Sequence, residues 1–257
     1  MQNERQKQIL EMLFERHFVT IKELCKALYI SEATARRDLR YLAQKGLINR
    51  THGGAAIRGI SADSKIPIHL RENEQSLAKA EIGRRAASLV RDGQVILMDA
   101  STTTYNILPY LKARKELIVV TSGAKTALVL AGMNIKTYST GGQMITESLS
   151  YIGADAERMV RGVNADILFF SCRGLSFDGR LSDVSEEEND LRKVMLSRAK
   201  TKVFLCDSSK IGKTYFHNLC LVEDIDYIIC ERELPETLRH KGYIYIKNFI
   251  EKPPRPF

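Results

Sequence analysis

The sequence predicts an N-terminal all-α/winged-helix domain followed by an α/β domain with a doubly wound, mostly parallel sheet. Short amphipathic helices and a glycine-containing hairpin indicate the first domain, within residues 1–58. Alternating apolar strands and helices indicate the second domain, within residues 77–257. Residues 59–76 are polar and contain Pro67, which is typical of a linker and domain entry.

Cap residues mark two of the predicted N-terminal helices. A first helix is expected over 4–16 from its apolar periodicity. Thr20 and Glu23 form a capping box, in which each side chain binds a backbone amide of the other residue, and they start a second helix. After a short turn, Ser31 is a favourable N-cap for a third helix that reaches about Lys45.

The third helix carries a polar face suited to the major groove of DNA. Ala35, Leu39 and Leu42 form its apolar stripe. Arginine can bind guanine edges or phosphates, and short hydroxyl side chains let a helix N-terminus approach DNA closely. Arginine runs are usually solvated faces, but the surrounding caps, turn and hairpin favour DNA contact. The candidate DNA-binding residues on this helix are Ser31, Thr34, Arg36, Arg37 and Arg40.

A hairpin after the third helix is predicted to form a wing. Gly46 is expected to end the helix in a left-handed conformation. Arg50, His52 and Gly53 would then contact an adjacent phosphate or the minor groove. Asp38 is an exception on the third helix, because its carboxylate would repel phosphates. We expect it to pair with a neighbouring arginine.

The positive charge is concentrated near the N-terminus. The chain has 39 Lys and Arg against 31 Asp and Glu, a formal net charge of +8. Residues 1–58 contain 11 of the basic and 6 of the acidic residues, or +5, which leaves 28 against 25, or +3, for the rest. This asymmetry favours an anionic partner, either DNA or a membrane surface, at the N-terminus.

Several other classes are disfavoured by the sequence. No apolar run approaches the roughly 20 residues that span a bilayer, and no signal-peptide pattern appears, so we expect a cytoplasmic protein without a membrane partner. The five cysteines lack metal-ligand spacing, which argues against disulfides and a zinc site. We expect no cofactor and no metal. The cysteines are Cys25, Cys172, Cys206, Cys220 and Cys230.

The N-terminal motifs resemble those of the DeoR family of bacterial transcription regulators. The resemblance is carried by YISEATARRDL at 29–39, by Gly46 and by RTHGGA at 50–55. It implies a sequence-specific regulator that binds double-stranded operator DNA, most often a repressor of a sugar-catabolism operon. A homodimer or homotetramer would set two recognition helices about one DNA turn apart.

The second domain is predicted to alternate strands and helices. Helices are expected over 77–90, 103–111, 125–131 and 186–199. Strands are expected over 95–99, 117–121, 137–139, 167–171, 203–207 and 227–230, with an edge strand at 243–246. Continuous apolar strands are typical of a parallel sheet that is buried on both faces. The tail at 251–257, with three prolines, is expected to be irregular.

Polar loops follow several of these strands. In open parallel α/β sheets, ligands bind beyond the carboxyl ends of the strands. Hydroxyls and backbone amides at a helix start can bind phosphate, although such clusters are usually only helix caps. Their convergence favours a phosphate site with Lys210 as its charged partner. The loops are 99–104, 121–125, 140–143 and 207–213.

The C-terminal domain resembles the DeoR-family sensor domain, which is similar in fold to ribose-5-phosphate isomerase. The resemblance rests on Arg71, Lys79, DASTTT at 99–104, Gly141-Gly142, Gly153, 188–195 and DSSKIG at 207–212. The family usually has glycine at the position of Ser101 and asparagine at that of Ser122. The resemblance implies a small phosphorylated sugar as effector, bound by Asp99, Ser101, Thr102, Thr103, Gly141, Glu188 and Lys210.

The alternative is an enzyme, a phosphosugar isomerase with a DNA-binding appendage. Aldose–ketose isomerisation needs a general base, normally a carboxylate. Asp178, Asp183 and Glu188 are the candidates for that role. The acidic cluster and the Lys-Gly-Gly-Gly run of the isomerase family are absent, and the corresponding stretches read SCRGLSFDG and DSSKIGK. We therefore expect no catalytic residues.

Overall fold

A computed structural model of the protein describes residues 2–16, 18–45, 47–50, 53–57, 68–239 and 243–245. The chain divides into two compact units, residues 1–64 and 65–257. Much of the linker expected at 59–76 and the whole tail at 251–257 lie outside the described residues.

The described part of the first unit consists of three helices and a three-stranded antiparallel sheet. The helices are α1 (Gln2–Arg16), α2 (Ile21–Leu28) and α3 (Glu32–Gln44). The strands are β1 (Phe18–Thr20), β2 (Ile48–Arg50) and β3 (Gly54–Ile57), in the order β1-β3-β2. Strands β2 and β3 form the predicted hairpin. The unit is therefore a helix-turn-helix with a wing, as predicted.

Helix caps and the burial of apolar side chains explain why the first unit folds in this way. The predicted capping box is present, because Thr20 N donates to Glu23 Oε2 at 2.7 Å and Glu23 N donates to Thr20 Oγ1 at 3.2 Å. Leu13 of α1, Leu24 of α2 and Leu39 of α3 are fully or almost fully buried. The apolar stripes read from the sequence thus form the core.

Asp38 lies on the buried side of α3. Its carboxylate accepts hydrogen bonds from Arg5 of α1, over 2.5 Å to Nε and 3.3 Å to Nη2. The partner is an arginine from the first helix and not one beside Asp38 on α3, which corrects the expectation. Because the carboxylate is fully buried, the pair ties α1 to α3.

The second unit is an α/β domain. Its described helices are α4 (Ile68–Arg71), α5 (Ser76–Ala87), α6 (Thr102–Tyr105), α7 (Leu108–Leu111), α8 (Ala124–Gly132), α9 (Ala154–Arg161) and α10 (Glu186–Arg198). Its described strands are β4 (Val95–Met98), β5 (Ile118–Thr121), β6 (Lys136–Ser139), β7 (Gln143–Ile145), β8 (Ser150–Ile152), β9 (Ala165–Phe170), β10 (Gly174–Leu175), β11 (Arg180–Asp183), β12 (Ala199–Cys206), β13 (His217–Leu221), β14 (Tyr227–Cys230) and β15 (Tyr243–Tyr245).

A seven-stranded sheet is the centre of the second unit. The strand order is β15-β14-β12-β9-β4-β5-β6, and every neighbouring pair is parallel. One face packs against α9 and α10 through residues such as Phe170 and Met195. The other face packs against α5 and α7 through residues such as Ile82 and Phe169. Helices on both faces confirm the predicted doubly wound sheet, and β15 is its edge strand.

Two parts of the second unit differ from the sequence prediction. The single helix expected over 103–111 is two short helices, α6 and α7, because Pro109 lies at the start of α7 and cannot donate a backbone hydrogen bond to continue α6. A hairpin, β7–β8, and a small antiparallel sheet in the order β10-β11-β13 were not predicted from the sequence. These strands have two to five residues, too few for a clear alternating pattern.

Candidate functional site

Helix α3 presents its predicted DNA-binding residues at one surface of the first unit. Ser31 caps the helix, its hydroxyl accepting from the amide of Thr34 at 3.3 Å. Arg36, Arg37 and Arg40 are exposed. Arg36 pairs with the carboxylate one turn earlier at 3.3 Å, whereas Arg37 and Arg40 make no ion pair with another described residue. Their guanidinium groups are therefore available to phosphates or bases.

The wing supplies the remaining candidates. Arg50 is exposed in β2 and lies opposite Ala55 of β3. Gly53 is exposed beside β3, with open space where a side chain would begin. His52 lies outside the described residues, as does Gly46. The structure thus brings five candidates together on α3 and two on the wing.

In the second unit, Asp99 comes directly after β4, and its carboxylate holds the loop that follows this strand. Its Oδ1 accepts from Ser101 N at 3.0 Å and from Thr104 Oγ1 at 2.9 Å. Its Oδ2 accepts from Ser171 N and Arg192 Nε, both at 3.1 Å. The carboxylate is buried and both oxygens already have protein donors, so Asp99 positions the loop.

Arg192 of α10 is the central cation of this region, and its side chain is only 7% exposed. Besides Asp99, its guanidinium donates to Asp183 Oδ2 and Asn189 Oδ1, both at 3.1 Å. Its Nη2 lies 3.8 Å from Glu188 Oε2. Burial lowers the pKa of Arg192, but the carboxylates of Asp183, Asp99 and Glu188 outweigh burial and raise it. Arg192 is therefore a fixed positive charge.

Glu188 is a second predicted effector residue beside this cation. Its Oε1 accepts from Ser150 Oγ at 2.7 Å, and that hydroxyl lies 2.7 Å from Ser148 Oγ. Burial alone would raise the pKa of Glu188, but the charge of Arg192, the Ser150 hydroxyl and the charge of Arg71 lower it below its ordinary value. Glu188 is thus held as a carboxylate, a good acceptor for sugar hydroxyls.

Lys210 joins the loops that follow β4 and β12. Its Nζ donates to Ser171 Oγ at 2.5 Å and to Thr103 Oγ1 at 3.1 Å, and it lies 3.3 Å from Asp207 Oδ2. Burial lowers the pKa of Lys210, but the charge of Asp207 and the other groups around Lys210 together outweigh burial and raise it. The structure thus confirms contact between two of the loops found in the sequence.

Lys79 of α5 is a second buried cation in this region. It is 3% exposed, and its Nζ donates to the backbone oxygen of Arg71 at 2.5 Å. Burial, and then the charge of Lys210, lower the pKa of Lys79 to about 8. An anion bound nearby would offset this unfavourable burial of charge.

Two small cavities meet at Glu188. The first is lined by Arg71, Ile145, Glu147, Ser148, Arg173, Val184, Ser185 and Glu188. The second is lined by Asp99, Ala100, Ser122, Ser150, Tyr151, Glu188, Leu191 and Arg192. Of the predicted effector residues, Asp99 and Glu188 line these cavities. Neither cavity is lined by Ser101, Thr102, Thr103, Gly141 or Lys210.

The backbone explains how Ser101 is accommodated. Its φ of −72° and ψ of 148° suit any residue, and its hydroxyl caps α6 by accepting from Thr104 N at 3.2 Å. Gly141 differs, because its φ of 65° favours glycine. Its amide donates to Ser139 Oγ at 3.1 Å, and it has no described hydrogen bond to the other predicted effector residues. Thr102 is buried in α6 next to Thr103.

Sequence reasoning missed the buried polar groups that hold this site together. Arg192, Ser171 and Ser150 bind the predicted residues directly. Arg192 lies four residues after Glu188 on α10, so helical spacing was a usable signal for that pair. No local pattern relates Ser150 to Glu188 or Ser171 to Asp99, because those contacts depend on the tertiary fold.

Within the described ranges, no group of His, Cys, Asp and Glu side chains could hold a metal ion, and all five cysteines are free. None of the helices in the described part of the chain is both long and apolar enough to cross a membrane.

Comparisons with known proteins assign both units to domains of one family. Residues 5–59 match the model of the DeoR-like helix-turn-helix domain, and residues 74–232 match that of the DeoR C terminal sensor domain. The chain is 34% identical to the uncharacterized HTH-type transcriptional regulator YulB of Bacillus subtilis, over 90% of this chain and 89% of that protein. It is 32% identical to the transcriptional repressor GlcR of B. subtilis, over 90% and 89%. It is 31% identical to the L-fucose operon activator of Haemophilus influenzae, over 92% and 95%.

Among solved structures, ribose 5-phosphate isomerase A of Methanocaldococcus jannaschii aligns with 54% of this chain and 55% of its own, at 16% identity and a TM-score of 0.41.

Proposed function

The chain belongs to the DeoR family of transcriptional regulators, and we propose that it represses a sugar-metabolism operon and releases operator DNA when a phosphorylated sugar binds. The observation that carries this proposal is the presence, in one chain, of an exposed arginine face on a helix-turn-helix and a polar cavity pair around Glu188. The first feature suits DNA and the second suits a small polyhydroxylated anion.

The DNA-binding proposal assigns α3 to the major groove and the wing to the adjacent backbone. Ser31 and Thr34 allow the helix N-terminus to approach DNA, while Arg37 and Arg40 bind base edges or phosphates. Arg36, Arg50, His52 and Gly53 complete the proposed surface. The net charge of +5 over residues 1–58, from 11 basic and 6 acidic residues, supports an anionic partner.

The predicted effector residues have three proposed roles. Glu188 lines both cavities and would accept hydrogen bonds from sugar hydroxyls. Asp99, Ser101, Thr102 and Thr103 would hold the loop that receives phosphate. Gly141 and Lys210 would complete the rim of the site, with Lys210 also fixing the loop through Thr103.

Control of the operator requires the effector to favour one conformation. A tenfold change in occupancy corresponds to about 1.4 kcal/mol of differential affinity, which one charge-assisted hydrogen bond can supply. We also propose a homodimer or homotetramer, since a two-fold operator needs two copies of α3. The relatives include a named repressor and a named activator, so the direction of control is part of the test.

We propose that the chain is not an enzyme. Asp178 is exposed and paired with Arg180, and Asp183 is ion-paired with Arg192. The pKa of Glu188 is lowered, whereas a general base benefits from a pKa near the working pH. Turnover of a pentose or hexose phosphate that disappears in Glu188→Gln would contradict this proposal.

Fluorescence anisotropy tests the proposed function. Labelled DNA from upstream of this chain's own operon is titrated with the full chain at fixed salt, followed by a panel of sugar phosphates. We expect tight binding that one compound of the panel reverses. Binding that is weak and equal on unrelated DNA would reject the regulator, and tight binding that no sugar phosphate alters would reject the proposed effector class.

Replacing Lys210 with alanine is expected to leave operator affinity unchanged and to raise the effector concentration needed for release at least about tenfold. The reason is that Lys210 holds the loop after β4 through Thr103 and supplies a positive charge near the proposed phosphate. The same anisotropy titration measures both quantities. The exposed Lys213 provides the matched control, Lys213→Ala. Loss of operator binding by Lys210→Ala would instead indicate a structural role.

A further inference from the structure

Tyr29 has a backbone conformation that tyrosine rarely adopts. It ends α2 with φ 52° and ψ 44°, in the left-handed region, and its N–H donates to Cys25 O. In this region the Cβ of an L-residue crowds the backbone, so a bulky side chain is strained. Glycine or asparagine would fit the same turn with less strain.

Nothing described in the first unit offsets this strain through the Tyr29 side chain. The residue is 95% exposed, so its ring packs on almost nothing. The other described non-glycine residues with positive φ are Gln75, Glu116, Asn134 and Leu149, and none of them is aromatic. The turn needs a left-handed residue, but it does not need a tyrosine. A strained tyrosine at this position therefore indicates a function.

The location of Tyr29 suggests that function. It lies in the turn between α2 and α3, two residues before the N-cap Ser31. In helix-turn-helix proteins the first helix crosses the DNA backbone while the N-terminus of the second enters the major groove. The turn that joins the helices is therefore carried to the edge of the groove, where sugar and phosphate are exposed.

We propose that Tyr29 binds the sugar–phosphate backbone of the operator, its ring packing on a deoxyribose and its hydroxyl donating to a phosphate oxygen. The inference rests on the DNA-binding function proposed above and adds a residue to it. Tyrosine suits this position because one side chain offers an apolar surface and a polar tip. The left-handed turn directs that side chain into solvent, where DNA would lie.

The contact has a distinct salt signature. A neutral phenol that donates to phosphate releases no counterion, whereas an arginine that neutralises a phosphate does. Losing Tyr29 should therefore weaken operator binding by the same factor at low and high salt. Losing a phosphate-binding arginine should reduce the slope of log K against log salt by about one.

The test compares Tyr29→Asn and Tyr29→Phe in the full chain. For Tyr29→Asn we expect about tenfold weaker operator binding by anisotropy at two salt concentrations, with an unfolding midpoint that is unchanged or higher because asparagine accepts the left-handed conformation. For Tyr29→Phe we expect about threefold weaker binding, since only the hydroxyl is lost. Weaker binding with unimpaired stability would separate a DNA contact from a structural role.

Two matched variants serve as controls. Tyr41→Ala removes a partly exposed tyrosine of α3, and Glu116→Gly relieves a left-handed residue of the second unit. Neither should change operator affinity by more than about twofold. Unchanged operator binding by Tyr29→Asn, or a fall in its unfolding midpoint that accounts for lost binding, would overturn the inference. Failure of the wild-type chain to bind the operator would instead reject the proposed function.

Discussion

Replacing Arg192 with methionine is expected to lower the unfolding free energy of the second unit by about 3–5 kcal/mol. Arg192 donates hydrogen bonds to Asp99 and Asp183 and lies 3.8 Å from Glu188. Methionine fills similar space but leaves these carboxylates without their shared cation. Chemical denaturation followed by circular dichroism measures the loss. Arg180→Met, at an exposed arginine of the same unit, should cost less than about 1 kcal/mol.

The pH dependence of the Arg192→Met variant should run opposite to that of the wild type. In the wild type the pKa of Glu188 is lower in the folded than in the unfolded chain. The ionised Glu188 carboxylate therefore stabilises the fold above the unfolded pKa, and this stabilisation is lost as pH falls through the folded pKa. Without Arg192, burial should raise the folded pKa of Glu188 above its unfolded value. The variant should then gain stability as pH falls from 7 towards 5. A loss of stability on acidification equal to that of the wild type would contradict this account.

Arg37→Ala is expected to weaken operator binding by about 1–3 kcal/mol if Arg37 reads a base. Arg37 is exposed on α3 and makes no ion pair with another described residue, so its guanidinium is available to DNA. If it instead binds a phosphate, binding should weaken on all sequences and the salt slope should fall by about one. Anisotropy on operator and scrambled DNA at several salt concentrations separates these outcomes.

Arg180→Ala is a suitable control for the DNA measurement, because Arg180 lies in the second unit and pairs with Asp178. It should leave operator affinity unchanged. An Arg37→Ala variant that binds the operator as tightly as the wild type would remove Arg37 from the proposed interface.

The first unit could be predicted closely because its signals are local. Thr20, Glu23 and Ser31 bind amides within three residues of themselves, and such caps can be read directly from the sequence. The apolar spacing of α3 fixed which side carries the core and therefore which side carries the arginines. The strain at Tyr29 could not be predicted from the sequence, because it is visible only in the backbone angles.

The effector region was predicted only in part. The polar loops were found because strands end before them, and parallel strands place those ends at one edge of a sheet. The roles of their residues could not be read in this way. Asp99 was expected to contact the ligand, yet both its oxygens accept from protein donors that come from three separate segments. Only the fold brings Ser171 and Arg192 to that carboxylate.

The strand order of the large sheet has a consequence for synthesis of the chain. Strand β5 pairs with β4 on one side and with β6 on the other, but β4 also needs β9, whose Ile167 lies opposite Ile96. Until the ribosome has released residues 165–170, one edge of the nascent sheet has no partner strand. Such an edge can pair with other chains, and β9, β12 and β14 each leave it open until the next strand emerges, so the unit is exposed to aggregation until β15 completes the sheet. The first unit depends on contacts within its own residues and can fold before that exposure begins.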